Sequence, residues 1–399
     1  MARDKALKIL NFAVLLQQQR YIVAISYLFY LSNGLTLSDF LFFQSIFYFT
    51  GLIAEIPAGY IGDIFPRKNI LIFSYLLFTL RIVMWIIIPN YYTILFGEIL
   101  YGLSKAFYRG VSDGYIYDYL KENNVTNLMI NKYGKFNFFM STGSAVSCLL
   151  GTLLYKHLGF YLLLGIELFC NSAAIITLLF LPQIKHTPKK ISLSLHLKKL
   201  FGIVKSTVQN SSLSYFILYS GILSGITSIF VWNFQPTMKH FMLPVSIFGI
   251  IYFINHMLRA ICSMKSDSIL KYTNLPNLGC FVWMLYILAF ISLISLLKFG
   301  NSILCIACLI FVCIAIGIQM SFNVGNLSRI HRLVESDTRA TVSSINSMLT
   351  SLFSGLFLMI FKSIIDSHTS SYALSLFLFV FILTIFILKK IHNLYFKTS

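Results

Sequence analysis

The chain has 399 residues, of which 57% are apolar and only 11% charged, and its mean hydropathy is +0.79. A soluble fold of this length has too little interior to hide so much apolar surface, so the composition excludes a water-soluble globular protein and requires lipid around it. The net charge of +18 invites a nucleic-acid partner, but the placement of the basic residues along the chain excludes one.

Hydropathy predicts twelve membrane spans, at 12–34, 39–62, 69–87, 92–119, 131–155, 159–182, 214–235, 245–264, 277–297, 302–326, 339–364 and 371–388. The expected fold is an all-α membrane protein with twelve transmembrane helices in two six-helix bundles. Residues 1–182 form the first half and 214–399 the second, with a basic, partly amphipathic linker at 183–213 that is expected on the cytoplasmic membrane surface. The first span reads as a retained helix, with no cleavable signal. Neither tail is long enough for a further domain.

Taken in order, the spans carry a sparse set of ionisable groups, each costly in hydrocarbon unless paired or hydrated. The first span holds Arg20, the second Glu55, the third Arg81 and the sixth Glu167. Arg81 falls near the middle of the bilayer, with Glu167 as a partner for it or for Arg20. Glu55, close to the cytoplasmic end of its span, reads as structural. The fourth span is the richest: Glu98, Gly102, Lys105, Arg109 and Asp113 are spaced 4, 3, 4 and 4 apart and share one narrow face. Such a stripe faces protein or water, either as a salt-bridge ladder or as a cavity lining. In the second reading Lys105 and Arg109 receive an anionic or zwitterionic solute, and Glu98 or Asp113 carries protons.

The second half relies mainly on amides. Gln235 ends the seventh span, Asn255, His256 and Arg259 cluster on the eighth, and Gln319, Asn323 and Asn326 form an i, i+4, i+7 face on the tenth. These residues suit a polar solute or interhelical hydrogen bonding equally. Trp85, Trp232 and Trp283 sit near span ends, as an interfacial belt requires. The seven cysteines read as packing residues. The spacing of Cys305 and Cys308 has no metal-binding company, and neither a metal site nor a cofactor is expected.

With the N-terminus inside, the cytoplasmic loops and tails hold twenty-two Lys and Arg residues, against three (Lys156, Lys239 and Lys298) on the other side. The basic surplus is therefore topological and places both termini in the cytoplasm.

The most specific local feature joins the second and third spans: Gly59, Gly62, Asp63, Pro66, Arg67 and Lys68 within ten residues. It resembles the loop signature Gly-x-x-x-Asp-x-x-x-Arg-Lys of the major facilitator superfamily. Glu55-Ile56-Pro57, the fourth-span ending Ser112 to Asp118, Gln235-Pro236 and Arg339-Ala340-Thr341-Val342 resemble landmarks of one bacterial branch. Pro66 stands where that branch has glycine, and the fifth span lacks the Gly-Pro-x-x-Gly-Gly cluster of proton-coupled drug antiporters. The second-half repeat of the loop, Lys265 to Lys271, keeps only the charges.

The resemblance implies a secondary transporter of the bacterial inner membrane, a monomer that is not an enzyme and works by alternating access. It implies proton-coupled efflux of a small amphipathic solute, such as a drug or peptide-like antibiotic. Uptake of a small anionic or zwitterionic metabolite is the alternative, and a membrane sensor or lipid-handling protein a further one. No motif for a phosphate-binding loop or metalloenzyme occurs. The resemblance also places Asp63 and Arg67 at a cytoplasmic latch near Asp118 and Arg339, with Arg67 bridging the two acids and Asp63 at the positive end of the eleventh helix.

Overall fold

The computed structural model describes residues 5–125, 128–184, 202–334 and 339–396. It is helical with no strand among the described residues. Among the described residues, eight helices are long and apolar enough to cross a membrane. One of them, Lys132–Leu179, holds both the fifth and sixth spans. The fourth span, Tyr91–Glu122, is long but charged, and the first and twelfth are shorter apolar pieces. These account for the twelve predicted spans.

Three local features depart from the predicted boundaries. The first span is two helices, Lys5–Gln17 and Ser26–Ser32, separated by a broken stretch that ends in a 3-10 turn at Val23–Ile25. The fifth and sixth spans share no loop. The chain reverses at Gly159, whose φ of 67° lies in a region that costs glycine nothing and other residues about 1 kcal/mol or more. Beyond the eighth span, Val245–Met264, the stretch expected as a loop carries a short helix, Ser266–Tyr272.

Elsewhere sequence chemistry sets the ends. The fourth, seventh (Ser211–His240), ninth (Leu275–Phe299) and tenth (Ser302–Arg332) helices each open on an asparagine, namely Asn90, Asn210, Asn274 and Asn301. Each side chain accepts a hydrogen bond from the backbone N–H three residues on, which satisfies one of the donors left free at a helix start. The second helix runs Leu37–Ile64 and the third starts at Arg67, so only Phe65 and Pro66 separate them. Pro66 suits this place, because its φ is fixed and its missing N–H is not needed there.

By contacts the chain forms two compact units. The first comprises residues 1–36, 46–193 and 244–260; the second comprises 37–45, 194–243 and 261–399. In the first unit the first span packs on the fifth, and the third packs on the fourth and sixth. In the second unit the seventh packs on the eleventh (Arg339–Ser367), and the ninth on the tenth and twelfth (Ser370–Phe396). The same pairings recur six helices later, which is the structural trace of an internal repeat.

The expected tryptophan belt is not found. Trp85 is fully buried beneath the third and fourth helices, with its ring on Gly97. Trp283 is buried and stacked on Phe381 at 4.4 Å. Trp232 is half-buried against Phe40. Trp85 fills the space over Gly97, and the other two pack on aromatic rings.

Candidate functional site

The first unit contains a buried charged cluster assembled from four spans. Arg81 projects from the third helix and is 4% exposed. Its Nη2 lies 3.4 Å from Oε1 of Glu98 on the fourth helix, and its Nη1 lies 3.8 Å from Oε1 of Glu167 on the sixth. Glu98 and Glu167 are 2% and 0% exposed. Desolvating such charges is costly, so each carboxylate needs the cation, and the cation is shared between them. The two carboxylates are not equivalent. Oε1 of Glu98 also accepts a hydrogen bond from the Tyr30 hydroxyl at 2.8 Å. Neither oxygen of Glu167 meets a side-chain hydroxyl or amide among the described residues; the Ile22 backbone is the donor that faces it.

Aromatic rings complete the setting of Arg81. Its guanidinium carbon lies 3.8 Å from the Trp85 ring and 4.8 Å from the Tyr101 ring. Contacts of this kind stabilise a desolvated cation by up to about 2 kcal/mol.

Arg20 lies on the broken stretch of the first span. It donates through Nη1 to the Tyr101 hydroxyl, and through Nη2 to Oε1 of Gln17 at 3.1 Å. Its charge reaches both Glu98 and Glu167. The break itself is held by the fifth helix. Gly143 and Gly151 lie against the backbone at Leu15 and Tyr21, and the Ser147 hydroxyl donates to the Gln18 carbonyl at 3.2 Å. Non-helical backbone at this depth persists only where protein or water satisfies it.

Lys105, one turn below Tyr101, is half-buried, and its Nζ lies 5.8 Å from the Tyr101 ring. No carboxylate pairs with it among the described residues. The charges acting on it are those of Arg20, Arg109 and Arg259. Gly102 brings the fourth helix hard against the second: a Cβ there would meet the Phe47 carbonyl at 2.7 Å and Thr50 at 2.8 Å.

The stripe on the fourth helix therefore divides. Glu98 pairs inward, Gly102 serves helix contact, and Lys105 is held among cations. Arg109 is exposed, and no ion pair joins it to Asp113 among the described residues. Asp113 instead faces the Tyr133 hydroxyl of the fifth helix at 3.4 Å. A salt-bridge ladder along this helix is not what forms. His256 and Arg259 of the eighth span belong to the same unit, and the charges of Arg259, Arg20 and Lys105 converge on His256. Asn255 beside them is 1% exposed.

In the second unit Asn326 acts as an interhelical tie. Asn326 donates to the Phe216 carbonyl of the seventh helix at 3.0 Å, Gln319 and Gln235 are buried, and Asn323 is half-buried.

At the loop motif, Nε of Arg67 lies 2.6 Å from Oδ2 of Asp118, across from Gly114, where the guanidinium occupies the space of a side chain. Nζ of Lys68 donates to the Leu179 carbonyl at 2.6 Å, a cation at the negative end of the sixth helix. Gly62 meets Val111 and Gly59 faces open space. Glu55 is half-buried, and the Asp63 side chain lies outside the described residues. Arg339 donates to the His331 carbonyl at 3.1 Å, and His331 pairs with the Ser343 hydroxyl at 2.7 Å, which ties the tenth helix to the eleventh.

The sequence reading missed Gln17 and Tyr101. A signal existed for Tyr101, which stands three residues after Glu98 and four before Lys105 on the charged stripe. The pairing of Arg81 with both acids required the packing of three helices.

The family model of the Major Facilitator Superfamily matches residues 9–359. The chain belongs to the major facilitator superfamily. Solved structures agree on the fold. The nucleoside transporter NupG is similar with a TM-score of 0.76 at 14% identity, covering 98% of this chain and 100% of that one. A POT family transporter in complex with 5-aminolevulinic acid has a TM-score of 0.76 at 10% identity, covering 96% of each chain. A bacterial homologue of the human lysosomal transporter Spinster has a TM-score of 0.70 at 13% identity, covering 92% of this chain and 83% of that one. No curated protein matches the sequence significantly. As a member of the superfamily this chain is a multi-pass membrane transporter, and a small-molecule solute is its cargo.

Proposed function

We propose that the protein is a proton-coupled transporter of a small amphipathic anion and that Lys105 receives the anionic group. One observation carries this reading. Arg20 and Arg81 are balanced by Glu98 and Glu167, whereas Lys105 has no carboxylate partner among the described residues and lies among further cations. A carboxylate or phosphate supplies the missing charge. The Tyr101 ring, and Phe47 stacked on it at 4.7 Å, suit an apolar portion of the solute. The solved neighbours are named for nucleosides, peptides and 5-aminolevulinic acid, so the likeness by itself favours no class.

The electrostatics favour uptake together with protons over the efflux implied by the loop motifs. A proton entering the balanced quartet adds positive charge beside Lys105 and strengthens its hold on an anion, which couples the two in the same direction. Charge placement supports cytoplasmic termini, and the loop resemblance supports halves 1–182 and 214–399 that rock about the linker, a bacterial inner-membrane location and a monomer.

A thermal-shift panel of carboxylates, phosphates, zwitterions and cationic amphipaths tests the solute class. Anions should stabilise the wild type and lose most of that effect in Lys105→Gln. Stabilisation by cationic amphipaths alone would overturn the reading. Proteoliposome flux of the selected anion under an imposed pH gradient then decides direction, and solute moving against proton flow restores efflux.

A further inference from the structure

The proposed function leaves open which acid holds the proton, and the sequence favoured Glu98 or Asp113. We propose instead that Glu167 is the proton-binding group of the transport cycle, an inference that rests on the proton-coupled reading above.

The argument compares how the ionised forms are held. Glu98 in its charged form takes both the Tyr30 hydroxyl at 2.8 Å and Arg81 at 3.4 Å on one oxygen. Asp113 has two hydroxyls within reach, from Tyr133 at 3.4 Å and Ser112 at 3.5 Å, and it is half-buried. Glu167 is wholly buried, meets no side-chain hydroxyl or amide among the described residues and has only the Ile22 backbone as a hydrogen-bond donor, and its closest cation is at 3.8 Å. Its charge is therefore the least supported of the three, and neutralising it removes the largest desolvation cost. Arg20 does not repair this, because its guanidinium is committed to Tyr101 and Gln17.

The other groups facing Glu167 agree. Tyr21 from the first span, Tyr101 from the fourth, Cys148 from the fifth and Cys170 on its own helix are neutral or acidic. Only Arg81 and Arg20 carry positive charge toward it.

The consequence is a switch in the allegiance of Arg81. With Glu167 ionised, Arg81 is divided between two acids on different helices. With Glu167 protonated, it belongs to Glu98 alone. The third and sixth helices then lose their ionic tie, and the cluster around Lys105 gains one positive charge. Glu167 also faces the Ile22 backbone on the broken stretch that carries Arg20, so the same proton reaches the first span.

The test uses protons alone, on the full-length protein reconstituted in lipid. Infrared difference spectra between pH 8 and pH 5 read the carbonyl band of a buried carboxylic acid. The wild type should gain one such band on acidification. Glu98→Gln and Asp113→Asn should keep it, Glu167→Gln should lose it, and Glu167→Asp should show it at a shifted frequency. A band that disappears in Glu98→Gln or Asp113→Asn, no band in the wild type, or a band unmoved by Glu167→Asp would each overturn the assignment. The aspartate variant keeps the test decisive if the glutamine variant fails to fold. Failure of the anion panel leaves these spectra unaffected, so the two proposals fall separately.

Discussion

Replacing Arg81 by methionine is the sharpest test of the charged cluster. The side chain is 4% exposed and its two acids are 2% and 0% exposed, so neither can turn to water when the cation goes. Breaking a buried ion pair by removing one partner costs about 3–5 kcal/mol, which is roughly two to four orders of magnitude in the folding equilibrium. Loss of the Trp85 contact at 3.8 Å adds up to about 2 kcal/mol where the cation is desolvated. The penalty lies in the orphaned acids rather than in the missing arginine. Two controls follow from this. Arg81→Met/Glu98→Gln/Glu167→Gln should regain part of the stability, because it removes both orphaned acids and leaves Arg20 as the remaining buried charge. The single variant should also be less impaired at pH 5 than at pH 8: acids that take up protons on folding make stability fall as pH rises. Melting curves of detergent-purified protein measure both. A single variant as stable as wild type, or a triple variant no better than the single, would refute the assignment of the cluster as an interdependent ionic unit.

Two further outcomes follow from geometry. Gly102→Ala puts a Cβ at 2.7 Å from the Phe47 carbonyl, so the fourth helix must withdraw from the second by several tenths of an ångström and carry Glu98 and Lys105 with it. Overpacking of this kind costs about 1–3 kcal/mol, and transport should fall further than stability; unchanged flux and melting would show that the contact is slack. The 2.6 Å pair between Lys362 and Asp366 is the opposite case. The hydrogen bond from Lys362 holds the Asp366 carboxyl below its ordinary range, so any stabilisation is present above that range and lost as pH falls through the depressed value. The pair is exposed and screened, so Asp366→Asn should melt with wild type at both pH 7 and pH 5.

The fold was legible because lipid imposes a simple rule, that spans are long and apolar, and because the loop around Arg67 is short and specific. The pairing of Arg67 with Asp118 followed from the resemblance. The site was legible as a set of residues but not as a set of partners. Arg20, Arg81, Glu98 and Glu167 are costly anywhere in a membrane, so their presence announces a site. Which acid meets which cation depends on how the third, fourth and sixth helices lie together, and no local pattern encodes that. The break in the first span left a trace in Gln17, Gln18, Gln19 and Arg20, four consecutive polar residues where an unbroken span would be apolar. The tryptophan belt misled because interfacial preference is an average. Trp85 answers instead to the space above Gly97 and to the arginine beside it.

One feature of the cluster bears on how the protein is made. Every member of the ionic quartet lies between residues 20 and 167, ahead of the linker and of the whole second half. A nascent chain entering the bilayer therefore carries its most hazardous side chains first and neutralises them among themselves, without waiting for later helices. The four charges of the quartet are matched by the sixth span.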